Sequence, residues 1–398
     1  MSEKALAHLK VVDLTHYIAG PYCTKMMADL GAEVIKIEKP GSGDPARHIG
    51  PFYQDDPHPE KSALFLYLNT SKKSVTLNLK SETGREIIKE LIREADILVE
   101  NFSPRVMPSL GLDYESLVKV NPRLVMTSIS NFGQTGPYRD HKASEIGLLG
   151  IGGLMAITGE AHREPLKNYG YQAQYQAGIH AFTASQAALY FAAETGEGQQ
   201  IDLSIAEVVT ALLEPPVHTD VAKGLGYPRR GNRTQGGPWG AYPCKDGYVG
   251  VVAAPGPAWS FFKDLMGIPE LGDPKYADRL TRESYMDEID ALMLPWLMER
   301  TKKEIYHAGQ SYRMSFGYVA TTEDLLDDPQ MKAREFFVEI DHPETGPVKY
   351  PGPPFRMSET PWQATRAPLL GEQNEEILVR RLGYSKEDLV KMRERGII

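Results

Sequence analysis

The segment Thr15-His16-Tyr17-Ile18-Ala19-Gly20-Pro21 joins a short β-rich run, Leu9–Leu14, to a stretch of helical spacing that starts at Pro21. Such a junction offers free backbone N–H groups and the positive end of a helix dipole beside the carboxyl end of a strand. That is the chemistry of an anion site. A second band comprises Lys36, Lys39, Lys72 and Lys73, with Asn101 and Phe102 at the end of another strand-like run. Lysines placed after strands can pair with phosphates, and spacing alone fits a solvated charged face equally well.

Other chemistries find little support. Gly150-Ile151-Gly152-Gly153 follows no clear strand and fits no phosphate-loop pattern, so tight helix packing is the better reading. The ten histidines show no ligand spacing, and Cys23 and Cys244 stand alone, so no metal site is expected. The sequence has neither a GxSxG elbow nor an HExxH helix.

The elements that would hold these residues alternate. Leu9–Leu14, a helix over Pro21–Leu30 and a strand over Ala32–Ile37 form a βαβ unit. Ser74–Leu79 reads as a strand, and Glu82–Glu94 as a helix with Ile87, Ile88, Leu91 and Ile92 on one face. Ile97–Val99 and Leu124–Ile129 add strands, which predicts a doubly wound, Rossmann-like α/β domain. An Ala-rich helix over Gly178–Glu194 precedes a strand at Gln200–Ser204 and a helix at Ala206–Leu213. Residues 214–240, rich in Gly and Pro, read as linker or loop. A hairpin over Tyr242–Val252 and helices over Trp259–Met266 and Tyr285–Arg300 predict a smaller α+β domain. Gly346–Glu359 is again Pro/Gly-rich, and a helix is expected at Asn374–Arg381.

The 398 residues exceed what one core usually organises. Hydrophobic residues at 41% and charged residues at 24% are ordinary for a globular protein, and the net charge of −9 gives no support to a nucleic-acid or membrane partner. The N-terminus lacks the apolar core of a signal peptide, so the cytoplasm is the expected location.

Several motifs in order resemble the family III CoA-transferases, the CaiB–BaiF group. Val11-Val12-Asp13-Leu14-Thr15, Ala19-Gly20-Pro21 and the run from Asp29 to Asp44 are similar to the family's opening. Asn69-Thr70-Ser71-Lys72-Lys73-Ser74, Val99-Glu100-Asn101-Phe102-Ser103-Pro104 and Thr195-Gly196-Glu197-Gly198-Gln199 match later segments. Pro243-Cys244-Lys245-Asp246-Gly247, Asp328-Pro329-Gln330 and Ala367-Pro368-Leu369-Leu370-Gly371-Glu372 complete the series. The resemblance implies two interlocked ring-shaped subunits. It places a large CoA-binding domain at 1–205 and 361–398, linkers at 206–228 and 326–360, and a small domain at 229–325. It implies coenzyme A or acyl-CoA as substrate, with no covalently bound cofactor. CoA would lie against His16, Tyr17, Ile18, Ala19, Lys39, Lys72, Lys73, Asn101 and Phe102.

The family reaction uses an aspartate that attacks the thioester to form an anhydride and then an enzyme thioester. That aspartate lies in a segment like A-D-Y-x-A-G, which here reads Ala173-Gln174-Tyr175-Gln176-Ala177-Gly178. A neutral amide at Gln174 cannot form the anhydride, so no catalytic residue is expected in this chain. Ser109 stands where relatives tend to carry a basic residue, and Ser144 lies near the family racemases' histidine, which disfavours a racemase. The expectation is a non-catalytic subunit whose paralogous partner supplies the aspartate, as in enzymes acting on aromatic dicarboxylic acids such as benzylsuccinate with succinyl-CoA as donor. Two alternatives stay open. One is an active homodimer using another carboxylate, Glu145 or Glu160, and the other is a regulatory protein that binds CoA esters.

Overall fold

The computed structural model describes residues 4–224, 226–233, 236–253 and 258–398. They fall into two compact units, one of Met1–Leu154, Lys167–His218 and Glu335–Ile398, the other of Met155–Leu166 and Thr219–Arg334.

The first unit is built on a parallel sheet of six strands. These are β1 (Lys10–Asp13), β2 (Glu33–Glu38), β3 (Lys73–Thr76), β4 (Ile97–Glu100), β5 (Val125–Ser130) and β6 (Gln200–Ser204), in the order β3-β2-β1-β4-β5-β6. The order reverses between β1 and β4, which opens a crevice at their carboxyl ends. Helices α1 (Ala19–Asp29), α2 (Glu82–Ile92), α3 (Glu145–Ile151) and α4 (Gln172–Thr195) belong to this unit. The apolar stripe of α2 is buried as its spacing predicts, with Ile87, Ile88, Leu91 and Ile92 in one core beside Val12, Ile35 and Leu98.

The C-terminal segment returns to this core with Ile377, Leu378, Leu389 and Met392. It also covers the edge strand β3. Asn374 accepts the Thr76 N–H (2.9 Å) and donates to the Thr76 hydroxyl (2.8 Å), while Gln373 accepts the Ser74 N–H (2.7 Å). An edge covered in this way cannot template further pairing.

Gly152 and Gly153 are packing glycines. A Cβ on Gly152 would lie 2.5 Å from Val209, and one on Gly153 would lie 2.6 Å from Leu213.

Two expectations need correction. The stretch read as a linker from 214 contains a helix, Glu214–Lys223. Prolines 215 and 216 fall in its first turn, where a missing N–H leaves no bond unmade. The Pro/Gly-rich stretch from 346 begins with a strand, Gly346–Pro351, paired antiparallel with Phe337–His342. The prolines at its positions 347 and 351 are tolerated because this ribbon has only two strands, so each is an edge.

The second unit holds a three-stranded antiparallel sheet, β7 (Trp239–Cys244), β8 (Gly247–Val252) and β9 (Gly317–Tyr318). Its core gathers Val249, Val251, Phe262, Leu271, Ile305 and Phe316, with Ile289 and Met293 from helix α5 (Met286–Met298).

Candidate functional site

Three loops meet at the carboxyl ends of β1, β2 and β4, and side-chain hydrogen bonds to backbone hold them together. The Asn101 amide accepts the His16 N–H and donates to the His16 carbonyl, both at 2.8 Å. The Phe102 ring meets the His16 imidazole edge-on at 5.2 Å. Asp44 accepts the Tyr17 N–H (3.1 Å), which fixes the loop after β2 to the loop after β1. Tyr17 sits at φ 63°, a left-handed conformation that these bonds sustain and that turns the chain into α1. Ile18 occupies the N-cap position of α1 and Ala19 starts the helix, both buried. Lys39 is exposed just beyond β2. His16, Tyr17, Ile18, Ala19, Lys39, Asn101 and Phe102 are therefore brought to one edge of the sheet.

Below this edge lies a buried network of charges. Asp13 accepts from the Thr15 N–H (2.8 Å), the Thr24 hydroxyl (2.7 Å) and the Lys72 ammonium (3.0 Å). Lys36 donates to the Thr15 carbonyl and pairs with Asp44, both at 2.8 Å. Glu38 takes two bonds from Arg47, at 2.7 and 2.8 Å, and one from the Ser74 hydroxyl at 2.6 Å. Burial alone would raise the Asp13 carboxyl, but Lys72 and Lys36 outweigh it and hold the group well below the usual carboxylate range. The same burial, followed by the charge of Lys36, draws His16 below its ordinary value, so its ring is neutral at pH 7.

Lys72 and Lys73 do not offer free cations. The Lys72 side chain is fully buried, and its three protons go to Asp13, the Pro21 carbonyl and Asn69. Lys73 begins β3, at the other end of the sheet, and pairs with Glu33 and Glu376 at 2.7 Å each. In this structure both ammonium groups are committed to ion pairs within the protein. An isolated sequence cannot separate such pairing from a phosphate contact, because both place lysine next to a strand.

Gln174 lies in the first turn of α4, half-buried. One turn later Gly178 lets α4 approach α1, since a Cβ there would stand 2.7 Å from the Ala19 carbonyl oxygen. Tyr175 packs edge-on against Tyr22 of α1 at 4.9 Å. These contacts bring α1 and α4 together at Ala19, Tyr22, Tyr175 and Gly178. Glu145, the first residue of α3, accepts the Ala173 N–H at 2.8 Å and so caps α4 next to Gln174. Its second oxygen is buried without a partner, and burial raises the group. Ser144 precedes it without a capping bond, and Ser109 is exposed with its hydroxyl on the Val106 carbonyl. Glu160 belongs to the second unit.

Sequence reasoning missed Glu100. Its carboxylate accepts the Phe102 N–H (2.8 Å) at the end of β4, and burial pushes its pKa up to about 7. The folded value exceeds the unfolded value of about 4.3. The folded state therefore holds an extra proton between the two, and stability from this group falls as pH rises through that window. Glu100→Gln keeps a neutral acceptor. It is expected to stabilise the protein by about 1–3 kcal/mol at pH 8 and to leave it unchanged at pH 4, as read by thermal unfolding against pH.

Among the described residues there is no group of three or more His, Cys, Asp or Glu that could hold a metal. No described helix is long and apolar enough to cross a membrane.

The doubly wound parallel sheet defines an α/β protein, and comparison with known proteins gives the family. A sequence model of CoA-transferase family III matches residues 6–374. The chain is 35% identical to the formyl-CoA:oxalate CoA-transferase of Streptomyces coelicolor, covering 100% of both. It is 34% identical to the succinyl-CoA:(R)-benzylsuccinate CoA-transferase subunit BbsE of Thauera aromatica, covering 98% of both. Its fold matches the crystal structure of a CAIB/BAIF family protein from Brucella suis with a TM-score of 0.85 at 30% identity, over 95% of this chain and 99% of that one. The chain belongs to CoA-transferase family III, whose members move CoA between acyl-CoA and carboxylate partners.

Proposed function

We propose that this chain is the non-catalytic subunit of a heteromeric acyl-CoA:carboxylate CoA-transferase, and that a paralogous subunit supplies the aspartate nucleophile. One observation carries the reading: Gln174, in the first turn of α4, stands where the A-D-Y-x-A-G motif that its segment resembles has aspartate. An amide has no carboxylate oxygen with which to open a thioester. Similarity to a relative named as one subunit of a benzylsuccinate enzyme supports a partner, and it favours an aromatic dicarboxylic acid as acceptor with succinyl-CoA as donor. Interlocked rings give an inactive chain a physical purpose, because each ring would bury apolar surface against the other. Exposed Tyr190 and Phe191 on α4 fit such a contact. Purification from the native host should yield a stoichiometric second chain of similar size carrying an A-D-Y-x-A-G segment. A purified homodimer with full transferase activity excludes the reading.

A second reading rests on Glu145, whose unpaired buried oxygen lies beside the Gln174 turn. In that case the chain is an active homodimer with a displaced carboxylate.

CoA in this chain lies against His16–Ala19, Lys39, Asn101 and Phe102. Asn101→Ala removes both bonds that fix His16, and is expected to weaken CoA binding about tenfold in calorimetry. Lys39→Ala should weaken it in a salt-dependent way. Unchanged affinity in both variants places CoA elsewhere.

A further inference from the structure

We propose that Glu100 is a positioning residue whose proton sets how tightly the chain holds coenzyme A: with the proton on, the anionic ligand is favoured, and with it off, the ligand is repelled. The inference rests on CoA lying against His16–Ala19, Asn101 and Phe102. Glu100 ends β4, one residue before the amide that fixes His16. Its carboxylate accepts the Phe102 N–H at 2.8 Å, so the group sits directly under that loop.

Its surroundings differ from those of the other buried acids of the first unit. Asp13, Asp29, Glu38 and Asp44 each pair with a lysine or arginine at 3.0 Å or less. Glu100 is 3% exposed, and among the described residues no cation pairs with it. The register of the sheet gives it a polar row instead. Glu100 stands opposite Ser128 of β5, and Ser128 opposite Asp202 of β6, so the three share one face. Gln200 Nε2 donates to the Ser128 hydroxyl at 3.1 Å. Both Asp202 oxygens accept the Gln134 N–H, at 2.9 and 3.0 Å, which fixes the loop after β5. Asp202 lies two strand spacings from Glu100, about 10 Å. It is the one charged side chain among the described residues that acts on Glu100.

A carboxylate that is buried, without a cation and in line with a second carboxylate holds its proton strongly. Burial pushes Glu100 up to about 7; the Ser128 and Phe102 bonds oppose the rise, and Asp202 adds to it. Once ionised, the group is an unpaired negative charge under a loop that would receive phosphates. Bound phosphates in turn oppose its ionisation and raise it further. Affinity for CoA therefore falls as pH rises through 7, and binding near pH 7 takes up part of a proton.

Calorimetry of CoA binding from pH 6 to 8, on the full chain in the assembly it forms, tests this. Glu100→Gln keeps an acceptor for the Phe102 N–H and never ionises. Relative to that variant, wild-type affinity should fall about threefold to tenfold across the range. The titration of CoA's own phosphate monoester, near ~6, is common to both proteins and cancels in the ratio. Buffers of different ionisation heat should show proton uptake on binding in wild type beyond that in Glu100→Gln. Asp202→Asn should move the wild-type midpoint to lower pH, and it keeps the test open if Glu100→Gln does not fold. A ratio that stays flat from pH 6 to 8, or a midpoint that Asp202→Asn leaves in place, overturns the inference. Asn101→Ala separates this from the placement of CoA. If that variant weakens binding while the ratio stays flat, the role of Glu100 alone fails. If it binds CoA as wild type does, the placement fails and takes the inference with it.

Discussion

Supplied with an acyl-CoA and an acceptor acid, the chain purified by itself is expected to transfer CoA at least about 10,000-fold more slowly than the assembled enzyme. Loss of a protease's covalent nucleophile costs about a millionfold in kcat, so about 10,000-fold is a lower bound. The cause is local. Gln174 and the capped Ala173 N–H share the first turn of α4, and the nearby Glu145 carboxylate already spends one oxygen on that cap. On the proposed reading Gln174→Asp supplies the carboxylate that the motif resemblance expects, while Ser109 and Ser144 depart from the same resemblance. Initial-rate measurements should therefore find only weak activity in that variant. A rate in the unmodified chain comparable to that of the complex would require a nucleophile other than residue 174.

Asp13→Ala is expected to cost about 3–5 kcal/mol of stability, read from denaturant midpoints of the unfolding of the first unit. Asp13 is fully buried and answers the charge of Lys72 together with the Thr15 and Thr24 hydroxyls. Removing it takes away the charge that keeps the buried Lys72, already drawn down to about 8, protonated, so the lysine loses its proton, and the loop that carries His16 loses its anchor. The sign with pH follows from the depressed carboxyl. Its contribution is present above the unfolded value of about 3.9 and is lost as pH falls below it, so the gap between wild type and variant narrows in acid. A cost under 1 kcal/mol at neutral pH would mean that water reaches Lys72 and that the network does not hold the loop.

The sheet was legible because its strands are short apolar runs between helical spacings. Val11, Val12, Val34, Ile35 and Ile97–Val99 announce buried parallel strands, and they lie in the core as their pattern predicts. The ribbon at Phe337–His342 was not legible. Its alternation in Phe-Val-Glu-Ile-Asp-His is short, and its partner strand carries prolines that read as loop. The site divided in the same way. The strand, loop and helix around Thr15–Pro21 follow from their order in the sequence, but the bonds from the Thr15, His16 and Tyr17 N–H groups to Asp13, Asn101 and Asp44 do not. The buried charge network is invisible in sequence, because pairing Asp13 with Lys72 joins residues 59 positions apart, and nothing local distinguishes an internal lysine from a solvated one. Glu100 was missed for the related reason that burial, rather than residue type, raises its proton affinity.

The most direct measurement is peptide mapping by mass spectrometry after the native complex has turned over an acyl-CoA and been trapped. The account predicts a CoA thioester on an aspartate of the partner chain and none on this one. A thioester mapped to Glu145 or to any other carboxylate of this chain would contradict it.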